Sequence, residues 1–150
     1  MSHVRQQIRD ASAALLTGLI TTGARVYKSR VHVLSDADLP GLIITTDSEQ
    51  SEFGSIGSPV LLNRRLRLTV RAVAKANANL DNTLDSIMKE VEAAVYASAA
   101  ANTLGGLVKS MELSSIDIDM MAEGELPVGQ AVMNFEVNYK TFGNAPDIAI

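Results

Sequence analysis

The stretch AVMNFEVNYK, residues 131–140, alternates strictly between apolar and polar side chains. Successive side chains of a strand point to opposite faces of a sheet, so this stretch predicts a strand with one buried and one polar face. The predicted buried row consists of Ala131, Met133, Phe135, Val137 and Tyr139. A sheet with a polar face cannot lie between two layers of helices. We therefore expect a mainly antiparallel sheet, mixed at most, with its helices on the apolar face.

A second strand with the same alternation is predicted just before this one, at residues 111–120. Its apolar and acidic side chains alternate, and they are Ile116, Asp117, Ile118, Asp119 and Met120. The loop AEGELPVGQ, residues 122–130, separates the two strands, and this spacing predicts an antiparallel hairpin.

A third predicted strand, NRRLRLTVRAVA at residues 63–74, carries a row of arginines. Arg65, Arg67 and Arg71 fall on one face, which we call the arginine face, and Arg64 precedes the row. Two interpretations stay open. Acidic residues on the polar faces of other strands can pair with the arginines within the chain, at about 0.2 to 1 kcal/mol per pair, or a second molecule covers the arginine face. The acidic candidates are Asp117, Asp119 and Glu136.

The remaining elements complete one domain over residues 1–150. Amphipathic helices are predicted at about residues 4–20 and 80–97, where apolar residues recur every three or four positions. Short strands are predicted at residues 24–34 and 42–46. The expected order is α-β-β-β-α-β-β, a two-layer α+β fold with about five strands and both helices on one face.

Two segments outside these elements are candidate contact sites. A polar loop at about residues 48–62 is long for a connection, and such loops are often functional. A flexible tail is predicted at about residues 143–150. The apolar residues in the two segments are Phe53, Ile56, Ile148 and Ile150. We interpret them as anchors for a neighbouring chain.

The composition limits the classes of function. The chain has 150 residues, a formal net charge of −4 and no cysteine. A negative net charge argues against a protein that coats nucleic acid, because such proteins neutralise phosphates with Lys and Arg. The lack of cysteine excludes disulfides and thiolate chemistry. No signal peptide and no apolar run near the ~20 residues of a membrane span are present, so we expect a soluble, unprocessed chain that binds no membrane.

Residues suited to catalysis or metal binding are few. His3 and His32 stand in no metal-ligand spacing, and no nucleophile-elbow, P-loop or dinucleotide-binding motif occurs. Four acidic residues that are close in sequence lack the spacing of a calcium loop, namely Asp117, Asp119, Glu123 and Glu125. We therefore expect no enzyme activity, no metal and no cofactor.

A small nucleic-acid-binding domain that uses the arginine strand is a separate alternative. The strand has no aromatic residue between its arginines, so it lacks the base-stacking platform of a single-strand or RNA binder. This alternative predicts DNA affinity that falls steeply with salt.

Six segments in a fixed order carry a resemblance to a known family. They are VRQQIRDASAALLTGL, RVYKSRVHVLSDADLPGLIITTD, RRLRLTVRAVAKA, LDNTLDSIMKEVEAAV, TLGG and GELPVGQAVMNFEVNYKT. Over nearly the whole chain, this order resembles the tail terminator proteins (minor tail protein U-like) of long-tailed phages and related particles.

The resemblance implies a structural role without catalysis. Such proteins form a six-membered ring on the head-proximal end of the tail tube, stop the addition of tube subunits and present a surface to the neck. The implied partners are further copies of the chain in a homohexamer, the tail tube protein and a neck or head-completion protein. DNA passes only as cargo, and the location is the virion tail, after assembly in the host cytoplasm. A tail-completion or neck protein of similar size, which joins head to tail, is an open alternative.

In such a ring, the arginine face is expected to meet acidic groups of the next subunit or to border the DNA channel. The predicted subunit or tube interface consists of Phe53, Ile56, Arg64, Arg65, Arg67, Arg71, Asp117, Asp119, Ile148 and Ile150.

Overall fold

Three helices and six strands lie in the described part of the computed structural model, which covers residues 1–28, 35–123 and 126–150. The helices are α1 (Val4–Leu16), α2 (Leu80–Val95) and α3 (Ala99–Asn102). The strands are β1 (Val26–Tyr27), β2 (Gly41–Phe53), β3 (Leu61–Lys75), β4 (Ser110–Glu123), β5 (Leu126–Phe142) and β6 (Ala145–Ala149).

The strands form one sheet in the order β1-β2-β3-β5-β4, and β6 pairs with the end of β5. Neighbouring strands are antiparallel except β1 and β2, which are parallel. The two longest strands, β3 and β5, pair in the middle of the sheet. The predicted α+β class with a mainly antiparallel, mixed sheet is therefore confirmed.

The core lies between the sheet and two of the helices. Helix α1 packs on β2 and β6, and α2 packs on β3 and β5. All five residues of the row predicted in β5 are buried there, together with apolar side chains of both helices. We call this side of the sheet the helix face and the opposite side the reverse face. Strand β4, at the sheet edge, lies beyond the strands on which the helices mainly pack.

A smaller apolar cluster covers one end of the reverse face. It consists of Leu39, Ile43, Val73 and Val128, with Tyr27 packed against them. Because Leu42 and Ile44 are buried on the helix face at the same point, this part of β2 is buried on both sides, as the apolar run at residues 42–46 predicts.

Two bulges determine which residues face the helices. In β2, the residues on either side of Asp47 pair with consecutive residues of β3, so Asp47 is an extra residue. In β4, Ser114 is the extra residue. A bulge reverses the alternation of side chains beyond it, because the period of a strand is two. The bulge at Asp47 therefore turns Glu49 to the helix face, opposite Leu66.

The loop predicted at about residues 48–62 is shorter in the structure. Strand β2 continues to Phe53 and β3 begins at Leu61, so the connection spans residues 54–60. The residues beyond the bulge are polar, but strand pairing uses backbone groups that polar residues also provide. We call the two strands and their connection the β2–β3 hairpin.

The segment predicted as a flexible tail at about residues 143–150 contains β6 instead. The N–H of Ile150 donates to the carbonyl of Lys140 at 3.0 Å. The side chain of Gln7 donates to the carbonyl of Asp147 at 2.8 Å. These hydrogen bonds attach the segment to β5 and α1, and contacts so distant in sequence leave no local pattern.

The first helix and the first strand also differ from the prediction. Helix α1 ends at Leu16, because Gly18 has a φ of 92°, a conformation that favours glycine and is not helical. Of the strand predicted at residues 24–34, the structure shows β1, whereas residues 29–34, including His32, lie outside the described residues. Helix α3, with four residues, was not predicted.

Candidate interaction surface

Strand β3 divides its arginines between the two faces of the sheet. Leu66 and Leu68 are buried on the helix face. Since side chains alternate along a strand, Arg64 belongs to the helix face, and Arg65 and Arg67 belong to the reverse face. Adjacent arginines therefore have different surroundings.

Arg64 lies in a nearly buried polar cluster with Glu49 and Tyr139. Its Nη1 is 3.0 Å from Glu49 Oε2, and the two side chains are 10% and 8% exposed. Its Nε donates to Thr141 Oγ1 at 2.9 Å. The guanidinium also lies 6.0 Å from the centre of the Tyr139 ring, whose hydroxyl donates to Glu49 Oε1. Arg5 of α1 brings a second cation within 3.8 Å of Glu49 Oε2, so the cluster connects α1 to the sheet.

Burial and neighbouring charges in this cluster shift the pKa values of Tyr139 and His3. Burial raises the pKa of the Tyr139 hydroxyl above its ordinary value, and the hydrogen bond to the Glu49 carboxylate raises that pKa further. The pKa of His3 is lowered by burial and then by the positive charges of Arg5 and Arg64. Tyr139 thus stays a neutral donor to Glu49. The intermolecular role predicted for Arg64 stays a prediction, but the structure places its charge in an intrachain ion pair.

The reverse face presents Arg65 and Arg67 to solvent. Both are exposed, and neither forms a side-chain hydrogen bond or an ion pair with the described residues. Glu136 lies directly opposite Arg67 in β5, yet the two side chains do not meet at the 4.0 Å limit of an ion pair. Of the two interpretations left open, cross-strand pairing is therefore not observed for these two arginines within the described part of the chain.

Arg71 has a different environment, although it lies on the same face. Its Nε and Nη2 donate to Gln130 Oε1 at 3.1 and 2.9 Å. Asp117 is separated from Arg71 by Val132 of β5 in the cross-strand register. Arg71 keeps its charge, but its guanidinium is held within the chain and is less available to another molecule than those of Arg65 and Arg67.

The positive charge of Arg65 and Arg67 is extended by two lysines at the same end of the sheet. Arg65, Lys109 and Lys140 line a groove of about 350 Å³. A second, smaller groove of about 150 Å³ lies beside Arg67 and Glu136. Three carboxylates, Glu52, Glu112 and Glu136, lie among these four cations. The cations outnumber them, and we call this end of the reverse face the basic end.

Strand β4 presents the opposite charge at the edge of the sheet. Asp117 and Asp119 are exposed and lie on the reverse face, opposite Val132 and Gln130 of β5. The carboxylate of Asp119 accepts the N–H of Met120 at 2.8 Å. The predicted placement of both aspartates on the polar side of β4 agrees with this register.

Three apolar residues in the second half of β4 are also exposed, although alternation alone would place them in a buried row. Ile116 is 39% exposed, Ile118 57% and Met120 58%. They lie on the helix face, opposite Met133, Ala131 and Gly129 of β5, but at the edge where the helices do not cover the sheet. Alternation in the sequence indicates on which face of the sheet these residues lie, but it does not indicate how much of that face the helices cover.

The outer edge of β4 is covered in one half and open in the other. The N–H of Met111 donates to Asn102 Oδ1 at 3.4 Å, and the N–H of Leu113 donates to the hydroxyl of Tyr96 at 2.8 Å. Beyond the bulge, from Ile116 to Met120, the edge has no neighbouring strand among the described residues. The open half coincides with the exposed apolar row, and we call it the β4 edge.

The other predicted anchors lie at two separate places. Phe53 is 77% exposed and Ile56 is fully exposed at the tip of the β2–β3 hairpin. Ile148 is 50% exposed and Ile150 40%, in and just after β6. The structure therefore brings the hairpin anchors near the basic end, whereas the anchors of β6 form a different patch.

Among the described residues, no group of three His, Asp or Glu side chains is arranged to hold a metal ion. None of the helices in this part of the chain has the length and hydropathy needed to cross a bilayer.

No protein-family model matches the chain, and no curated protein matches it either. Among solved structures, the chain is similar to a chain from a structure described as the virion of a native gene transfer agent particle. The match covers 91% of this chain and 92% of that chain, with 14% sequence identity and a TM-score of 0.34.

Proposed function

We propose that the chain is a structural virion protein that forms a ring on the head-proximal end of a tail tube. The ring ends tube growth and offers a docking surface to the head-neck complex. The observation that carries this proposal is the exposed apolar row of Ile116, Ile118 and Met120 on the open β4 edge. Open strand edges with apolar side chains pair readily with other chains, and natural proteins protect them when no partner covers them. The β4 edge thus supports a role in assembly.

A ring requires two different surfaces on each subunit, because neighbours meet head to tail around the rotation axis. The chain offers two chemically distinct candidates. One is the basic end with Arg65 and Arg67, and the other is the β4 edge with its acidic and apolar residues. The tail-end location and the number of six subunits come from the resemblance of the segment order to tail terminator proteins.

The proposed partners are other copies of the chain, the tail tube protein and a neck or head-completion protein. DNA passes through the ring as cargo. We propose no catalytic role and no cofactor, and the protein acts in the virion tail after assembly in the host cytoplasm.

Tail length tests this proposal. Particles assembled without the gene are compared with complete particles by electron microscopy. Tubes that grow well past their normal length are the expected result. Tubes of normal length that fail to join heads would instead identify a neck or tail-completion protein, and unaffected particles would reject a role in the tail.

Arg65 and Arg67 form no ion pair with the residues that the structure describes, and this observation favours one second candidate, a small nucleic-acid-binding domain. Phosphate contacts by these arginines would give duplex affinity that falls steeply with salt, by about one unit of log–log slope for each phosphate neutralised. A titration of the purified protein with duplex DNA at several salt concentrations separates the candidates. The proposed ring subunit should bind duplex weakly at all of them.

A further inference from the structure

Two distant regions of the molecule have matching distributions of apolar and charged side chains. At the β4 edge, apolar Ile118 lies on the helix face and Asp117 on the reverse face. In the β2–β3 hairpin, apolar Phe53 lies on the helix face, opposite Leu62, and the reverse face carries Arg65 and Arg67 together with one carboxylate, Glu52. Each region is thus apolar on one side of the sheet and charged on the other. The hairpin's two arginines outnumber its one glutamate, so its net charge is opposite in sign to that of the β4 edge.

We propose that the β2–β3 hairpin of one copy of the chain packs against the β4 edge of a second copy. Phe53 of the first copy then lies near Ile116, Ile118 and Met120 of the second. Arg65 and Arg67 lie near Asp117 and Asp119. The proposal rests on the self-assembly proposed above, and it does not depend on the position of the ring on a tail tube.

The two regions cannot meet within one chain. Phe53 pairs with Leu62 of β3, which in turn pairs with Thr141 of β5. Ile118 of β4 pairs with Ala131 of β5. Thr141 and Ala131 are ten residues apart in β5, which corresponds to about 33 Å at ~3.3 Å per residue. A contact between the regions is therefore intermolecular and joins two different surfaces, as a closed ring requires.

Charge complementarity favours a second copy as the occupant of the β4 edge. Arg65 and Arg67 have no ion pair among the described residues, and Asp117 and Asp119 are exposed. Opposite charges within about 8 Å interact at physiological ionic strength. Burial of the exposed apolar side chains provides the main attraction, and the charges select the orientation of the two copies.

Cysteine cross-linking tests the contact directly, because the natural chain contains no cysteine. The test variant carries Phe53→Cys and Ile118→Cys together. A disulfide needs Cα atoms within about 7 Å, so the two cysteines cannot join within one chain. We expect mild oxidation of the concentrated protein, and of assembled particles that contain it, to give a ladder of linked chains. An equimolar mixture of the two single variants should give linked dimers only.

A matched control carries Ile20→Cys with Ile118→Cys, because Ile20 is 96% exposed and lies outside both regions. The proposal expects at least about tenfold less cross-linking from this control, since random collisions alone would link it. Equal ladders from both double variants would overturn the proposal. Dimers from the Ile118→Cys single variant alone would also overturn it, in favour of a two-fold contact between β4 edges. The proposal would also be rejected if neither the concentrated protein nor the assembled particles gave disulfide-linked chains.

Charge reversal provides a second test that does not depend on disulfide geometry. One variant carries Arg65→Glu and Arg67→Glu, and the other carries Asp117→Lys and Asp119→Lys. Each alone should associate at least about tenfold more weakly than the natural chain, because like charges then face each other. Their mixture should associate, since the glutamates of one variant face the lysines of the other. Failure of the mixture, with both variants folded, would reject the contact.

These results are separable from the tail-length experiment. Cross-linked ladders with normal tail length would keep the contact and reject the terminator role. Overlong tails without specific cross-links would keep the role and reject the contact.

Discussion

Arg64 and Arg65 are neighbours in the chain, but their guanidinium groups have opposite environments. Arg64 is paired with Glu49 and lies near the Tyr139 ring on the helix face, where both members of the pair are nearly buried. Arg65 is exposed on the reverse face and forms no ion pair or side-chain hydrogen bond with the described residues. The difference teaches that the face of the sheet, more than the residue type, determines what a charged side chain contributes.

The two environments have different energetic consequences. A nearly buried ion pair has lost much of its hydration, so removal of one partner leaves a charge that water can no longer stabilise, at a cost of about 3–5 kcal/mol. An exposed charge contributes about 0–1 kcal/mol to the free energy of unfolding. Arg64 should therefore matter for folding, and Arg65 should matter only when another molecule meets the reverse face.

The largest expected effect comes from Arg64→Ala. This change leaves the Glu49 carboxylate without its main partner and should lower the free energy of unfolding by about 3 kcal/mol. The matched control is Arg65→Ala, which should change it by no more than about 0.5 kcal/mol. Chemical denaturation of both variants measures the difference, and equal losses would contradict the assignment of the two faces.

A smaller effect is expected for Tyr139→Phe. The change keeps the buried ring and removes the hydroxyl that donates to Glu49, which should cost about 1–3 kcal/mol because the carboxylate loses a buried donor. The matched control is Tyr96→Phe. It removes a hydroxyl that accepts a hydrogen bond from the N–H of Leu113 at the strand edge, and this loss should cost about 1 kcal/mol. If Tyr96→Phe proved the more costly change, the helix-face cluster would be less important than we infer.

The alkaline stability of the protein should also depend on Tyr139. Its pKa is raised in the folded state, so the folded protein holds this proton more tightly than the unfolded chain does. The resulting stabilisation is complete below the unfolded pKa of about 10 and is lost as the pH rises above it. Denaturation midpoints measured from pH 8 to 11 should fall at the alkaline end, and they should fall less in Tyr139→Phe. Identical slopes in the two proteins would reject this linkage.

The smallest effect on folding is expected where assembly should change most. Arg65→Glu combined with Arg67→Glu should lower the free energy of unfolding by no more than about 1 kcal/mol, because both side chains are exposed and the main cost is the like charge directly opposite Glu136. The same variant should fail to form rings, which negative-stain electron microscopy can show in assembly mixtures. A folded double variant that still forms intact rings would remove the reverse-face arginines from the interface.

Much of this architecture could be predicted from alternation and helical periodicity. Strand β5 has an unbroken alternation that packing against α2 requires, so its buried row and the α+β class follow directly from the sequence. The faces of Arg65 and Arg67 in β3, and of Asp117 and Asp119 in β4, follow for the same reason. A period of two is a local property, and these strands obey it.

The remaining features depend on contacts that are distant in sequence. Strand β6 has only five residues and is held by hydrogen bonds to β5 and α1. The exposure of Ile118 depends on where the helices end, which no pattern within β4 records. The ion pair of Arg64 depends on Glu49, whose face cannot be deduced from alternation because a bulge intervenes.

The bulge at Asp47 gives β2 one spare residue. Thr46 and Ser48 already pair with consecutive residues of β3, so deletion of Asp47 would join them into a regular strand and leave every later residue on its present face. Glu49 would stay on the helix face beside Arg64, and the deletion variant should keep this ion pair. Strand β2 can therefore lose one residue at this point without exchanging its two faces, a tolerance that a strand with no bulge does not have.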